Sequence, residues 1–284
     1  MINNFLHVIM NYSFMGRAVL AAVLVGVIAG AIGSFIILRG LSLMGDAISH
    51  AVIPGVAISQ VLGISHFIGA SAFGILASFA IGFISEKSKL KKDAIIGIVF
   101  SSFFALGLVL ISRIRTVTDL HSVLFGNVLT VSSLDITTLS IVGIVLLLFI
   151  LLFYKELLIT SFDETLAKIY GLKTRVIHYS FLFMLTLIIV SSLQVVGAIL
   201  IVAMIIAPAA TSYLLTNRLP IMLAVSTAIG AVSAVVGMFF SISFNLPSGA
   251  SIVLTLAAIF TLALIFAPKK GLIFQIKSNS NIRH

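Results

Sequence analysis

The sequence contains no cysteine and no tryptophan among its 284 residues. Without cysteine there is no disulfide framework, no thiolate metal site and no redox motif. Any metal ion the chain handles must therefore meet nitrogen and oxygen donors. Without tryptophan, anchoring at a membrane interface falls to Tyr, Lys and Arg. Charge is scarce as well: 9% of residues are Asp, Glu, Lys or Arg, against 61% hydrophobic. Soluble domains carry about 25% charged residues, so an ordinary soluble domain is excluded. Also missing are a Gly-rich phosphate loop ending in Lys-Ser or Lys-Thr, a His-Glu-x-x-His pair and a nucleophile elbow. These absences argue against nucleotide binding by such a loop, intramembrane zinc proteolysis and hydrolysis. The formal net charge of +9 does not point to nucleic acid. The basic residues cluster at the ends of apolar runs, as the positive-inside rule expects.

What is present is a series of apolar runs of bilayer-crossing length. They predict an all-α polytopic membrane protein, a single domain over 1–284 with about nine transmembrane helices. The first span covers about 18–38, with Gly26, Gly30 and Gly33 spaced for close helix packing. The second begins between 42 and 46 and ends at 62. The third is 66–84, and the short link Gly63-Ile64-Ser65 makes the pair a hairpin. The fourth is 94–112 and the fifth 136–154. Residues 120–128 are too short and too polar to cross and read as an interfacial helix or re-entrant turn. Two spans share 176–217, turning near Ser191-Ser192-Leu193-Gln194, with Pro208 expected to kink or break the second of them. Two more share 219–268 and turn at 243–249, where Asn245 sits. The tail from 269 is basic and polar. Residues 1–16 lack the basic start and small-residue end of a cleavable signal, so the first span is expected to be retained.

Charge sets the expected orientation. With the loop from Glu86 to Asp93 in the cytoplasm, only Arg17, Arg113 and Arg115 of the seventeen basic residues fall outside. The N-terminus is then outside and the C-terminus inside. The same count puts a short helix at about 161–171 in the cytoplasm, with Ser161 as its cap, Asp163 and Glu164 at its positive end and Gly171 as its stop.

One stretch does not suit a membrane. Residues 18–38 and 47–85 carry no formal charge, yet Asp46 stands between them with His50 four residues later. Positions four apart share a helix face. An ionisable residue in a membrane span is by default a functional-site hypothesis, and a carboxylate with an imidazole is a ligand set for a divalent transition metal. Ser49 adds a hydroxyl. Pro54 and Gly55, one turn on, are placed to loosen the helix and free backbone carbonyls. The simpler alternative is that Asp46 caps a helix and His50 bonds a carbonyl. Two side chains are too few for tight binding, so a two-fold dimer is expected to supply two more. The other polar residues point elsewhere. Asp119 and His121 diverge, His66 and His178 lie at span starts, Gln194 and Asn245 fall at turns, Asn127 fits a re-entrant turn, and Met204 is packing.

The runs from Phe35 to Gly40 and from Leu43 to Ala57 resemble the integral permeases of bacterial ABC importers for manganese, zinc and iron. Further matching runs are Asp119-Leu120 with Leu124-Phe125-Gly126-Asn127, Ser161 to Gly171, and Val196 to Ala210. The chain is most similar to the manganese branch. The resemblance implies a type II importer-like bundle in the bacterial plasma membrane, working as a homodimer with two cytoplasmic ATPases and an extracytoplasmic metal-binding protein. It implies that Asp46 and His50 are transit ligands for the ion, and that no cofactor is permanently bound. It makes 161–171 the coupling helix, with Asp163, Glu164, Ala167 and Gly171 as its ATPase-coupling residues. A permease of this kind is not itself an enzyme. The competing expectations are a proton-coupled secondary carrier, and zinc or iron in place of manganese.

Overall fold

The computed structural model describes residues 11–114, 131–267 and 271. Asp119, His121, Asn127, the 120–128 segment and most of the basic tail lie outside the described residues. Among the described residues all regular structure is helical. The helices are α1 (Ser13–Arg39), α2 (Met44–Ala51), α3 (Ile53–Leu62), α4 (His66–Lys87), α5 (Lys92–Ile114), α6 (Ser133–Leu152), α7 (Tyr154–Phe162), α8 (Glu164–Ile169), α9 (Thr174–Val196), α10 (Ala198–Leu215), α11 (Leu219–Phe244) and α12 (Ser248–Phe266). Eight of them are long and apolar enough to cross a membrane. The ninth crossing is divided. α2 and α3 together cover 19 residues, about 28 Å at 1.5 Å per residue, close to the bilayer core of about 30 Å.

The most deeply buried span is α1. Its glycine stripe does what the spacing predicts. A Cβ on Gly26 would stand 2.5 Å from the Gly230 carbonyl oxygen, and one on Gly30 would stand 2.6 Å from that of Ser226. Gly33 meets Ile205 of α10 in the same way. With little hydrophobic drive between helices in lipid, such backbone contact and polar links hold a bundle. Here Ser226 adds one, its hydroxyl donating to the Gly30 carbonyl at 2.7 Å. Phe35, Ile32 and Ile36 fill the core around this seam. The α3–α4 hairpin repeats the device, with Gly55 against Gly69.

Three expectations change. The α9–α10 turn lies at Gly197, not at 191–194. Gly197 takes φ 80° and ψ 167°, a region open essentially to glycine alone, and it is the single residue between the two helices. Ser191 and Ser192 are buried inside α9, where the Ser191 hydroxyl donates back to the Ile188 carbonyl. Gln194 is likewise helical. Pro208 does not break its span, because α10 runs unbroken from Ala198 to Leu215. Membrane helices tolerate proline where neighbours accommodate the freed carbonyl. Ser161 does not start the helix expected over 161–171. It lies near the end of α7, and Asp163 caps α8. Asn245 ends α11 in the left-handed region at φ 53°, as expected of a turn asparagine.

Candidate metal site

Two links isolate α2. Gly40, at φ +64°, ends α1, and Leu41 donates back to the Ile36 carbonyl at 3.0 Å. At the other end Val52 separates α2 from α3. The cause of that joint is Pro54, which has no N–H. The carbonyl that would accept from position 54 belongs to His50, so the break falls on a ligand candidate's own backbone. Because α2 starts at Met44, His50 lies about 9 Å along a crossing of about 28 Å. It is therefore about a third of the way in, short of the midpoint that an earlier start would give.

One face of α2, carrying Met44, Ala47, Ile48 and Ala51, is buried. Asp46 and His50 project from the other. Their side chains are brought together, with His50 Nε2 3.4 Å from Asp46 Oδ1. Asp46 is 52% exposed and His50 22%. In a crossing of this composition, so exposed a carboxylate faces either lipid or a polar space, and lipid is costly. The Nδ1 atom of His50 is buried without a hydrogen-bond partner. The imidazole thus turns Nε2 to the carboxylate, so that this nitrogen and the Asp46 oxygens face one space, while Nδ1 is enclosed.

The ring is held by α5. Phe100 and Phe104 meet it edge-on, with centroids at 5.5 and 5.6 Å, and stack on each other at 5.9 Å. Nothing in the sequence reading picked out these two. Their four-residue spacing within the charge-free run 94–112 was the available signal. Ser49 is fully buried and its hydroxyl donates to the Gly45 carbonyl at 2.8 Å. Pro54 packs on α5, where a Cβ on Gly107 would come within 3.1 Å of Pro54 Cδ. Among the described residues no three His, Cys, Asp or Glu side chains converge. Two candidate ligands of one chain do not by themselves complete a site.

A second polar region gathers at the C-terminal end of α1. A cavity of about 770 Å³ is lined by Arg39, Glu86, Lys92, Thr160, Glu164 and His178. Two ion pairs border it, Arg175–Glu86 at 3.0 Å and Lys168–Glu164 at 2.8 Å. The hydrogen bond from Lys168 holds the Glu164 carboxyl below its usual range against the opposing effect of burial. The Asp163 carboxylate accepts from the Thr165 and Leu166 amides at 2.8 and 2.9 Å. Ala167 is fully buried, while Phe162, Leu166, Ile169 and Tyr170 are exposed. Gly171, at φ +75°, lets Leu172 donate back to the Ala167 carbonyl and closes the helix. This segment is a two-helix foot with an apolar outer face.

Comparison with known proteins places the chain. A family model described as the ABC 3 transport family matches residues 11–267. The manganese transport system membrane protein MntC of Listeria monocytogenes is 55% identical over 273 residues, covering 96% of this chain and 98% of that one. The manganese import system permease protein ScaB of Streptococcus gordonii is 52% identical over 270 residues, covering 95% and 97%. A solved structure, PsaBC from Streptococcus pneumoniae in complex with Fab, superposes with a TM-score of 0.86 at 50% identity, covering 95% of this chain and 98% of its own.

Proposed function

This chain belongs to the ABC 3 transport family, and on that basis we propose that it is the membrane permease of an ATP-driven importer of divalent metal ions, with manganese as its cargo. The observation that carries the reading is identity above 50% along almost the whole chain to proteins named for manganese transport. The chain is a translocation subunit, and ATP hydrolysis belongs to a separate ATPase. Family membership disfavours a self-sufficient proton-coupled carrier.

The ion passes Asp46 and His50. Two ligands from each of two copies give four, which is why the assembly is a homodimer with these faces turned to a shared path. The exposure of Asp46 and the approach of His50 Nε2 to within 3.4 Å of its carboxylate support this arrangement. The site must be transient, since transport needs release as well as capture. Manganese lies low in the usual affinity order, so geometry and an extracytoplasmic metal-binding protein supply the selectivity. The foot formed by α7 and α8 is the coupling element. Its apolar residues Leu166, Ile169 and Tyr170 suit a groove in each of two cytoplasmic ATPases. That side is cytoplasmic, the C-terminus with it, and the N-terminus lies outside. The gathering of Arg39, Lys92, Lys168 and Arg175 around one cavity supports this orientation.

The test is uptake in proteoliposomes. Permease together with ATPase and binding protein is expected to accumulate manganese in an ATP-dependent manner, with zinc and iron competing weakly. Uptake by the permease alone would overturn the ABC reading. Stronger competition by zinc or iron would reassign the cargo.

A further inference from the structure

Arg39 stands where the foot meets the segment that carries the ligands. Its Nε donates to Ser161 Oγ at 3.0 Å and its Nη2 to Thr160 Oγ1 at 2.8 Å. Its guanidinium carbon lies 4.4 Å from the centroid of the Phe181 ring on α9. None of the described ion pairs includes Arg39. Its acceptors are two neutral hydroxyls, both already committed. Thr160 donates to the Glu156 carbonyl at 2.7 Å, and Ser161 donates to the Leu157 carbonyl. The two oxygens therefore offer lone pairs that only an added donor can use, and the planar fork of arginine reaches both. Through them the guanidinium grips the backbone of α7.

Directly after Arg39 the chain turns at Gly40, in the left-handed region, and enters the link to α2. Asp46 is seven residues beyond Arg39. We propose that Arg39 is a positioning residue that ties α7 to the end of α1 and so carries movement of the α7–α8 foot to Asp46 and His50. The proposal rests on the permease reading. A basic residue that only marks the cytoplasmic end of a span would snorkel to water. Arg39 instead points sideways into α7, with its face against an aromatic ring. The neutral acceptors suit a joint that must reform in each cycle, because neither partner is left as an unpaired buried carboxylate when they part.

The experiment uses the full complex in proteoliposomes and reads manganese ions moved per ATP hydrolysed. Wild type and Asp46→Ala frame the reading: wild type moves manganese and Asp46→Ala does not. Arg39→Gln is expected to lower the ratio at least tenfold while ATP hydrolysis continues. Arg39→Lys, which keeps the charge and loses the fork, is expected to lower it about fivefold. The double variant Thr160→Val/Ser161→Ala leaves every charge in place, is expected to match Arg39→Gln, and decides the matter if Arg39→Gln fails to assemble. Since the chain has no cysteine, Leu43→Cys, directly before α2, places one spin label in the permease, attached before assembly with the other subunits. Nucleotide is expected to change its spectrum in the wild-type background and not in the latch variants. An unchanged transport ratio or an intact label response in the double variant overturns the proposal. If wild type itself moves no manganese, the permease reading fails and the proposal falls with it.

Discussion

At the scale of the residue, the decisive pair is Asp46 and His50. Neither side chain belongs to the buried face of α2: Asp46 is half-exposed, and His50 packs across on Phe100 and Phe104 of α5, so removing either leaves that face in place. Asp46→Ala and His50→Ala are therefore expected to assemble normally, as size-exclusion profiles would show. Each should lose at least about 100-fold in manganese uptake, the upper end of the effect seen when only an outer-shell partner is removed. Acid acts in the same direction. Carboxylate and imidazole ligands bind metal only when deprotonated, so metal binding weakens as pH falls. Uptake measured across a pH series should decline on the acid side. Asp46 and His50 stood out in the sequence because a charge in a charge-free span needs no partner to be noticed. The aromatic wall of Phe100 and Phe104 did not, because phenylalanine in a membrane helix is ordinary until its neighbour is known. The same holds for Arg39. In the sequence it counts as a topology charge, and its acceptors lie more than 120 positions away.

At the scale of the element, each junction has its own chemistry. Gly26 and Gly30 of α1 leave no room for a side chain against α11. Gly30→Val is expected to cost about 1–3 kcal/mol or more through overpacking, read as a lower thermal midpoint of the detergent-solubilised protein. Asp163→Ala removes the cap of α8, at a cost of about 0.5–2 kcal/mol of local helix stability, and should weaken co-purification with the ATPase while leaving the bundle's midpoint unchanged. The Glu164–Lys168 pair supports the same helix in a pH-dependent way. Glu164's folded pKa is depressed, so this support is present above the ordinary carboxylate range and lost as pH falls through the lowered value. Both groups are well exposed, so the effect is local and small. Span positions were legible because charge-free length is a local property. The turn lies at Gly197 and not earlier although Ser191, Ser192 and Gln194 look like loop residues, because in a membrane helix a serine such as Ser191 can satisfy itself on its own backbone. The cap moved from Ser161 to Asp163 for a related reason: Ser161 was already engaged with α7 and Arg39.

At the scale of the whole molecule, the bundle is built around α1 and is less complete toward α5, α6 and α12, whose surfaces are the least buried. Asp46 opens on a face that one chain does not close. A single Asp46→Cys in this cysteine-free background is expected to yield a covalent dimer on mild oxidation, seen as a doubled mass on a non-reducing gel. A monomer band alone would separate the two ligand pairs and remove the four-ligand arrangement. The divided crossing also has a signature of its own. With Pro54 unable to donate and Val52 a joint, eight residues of α2 stand apart from the continuous hydrogen-bond ladders of the long spans. Local opening needs little of the global unfolding free energy where few bonds must break together. The amides around 50–56 should then exchange with deuterium sooner than those of α1 or α10, so that the place proposed for the ion is also the place where the membrane barrier breathes.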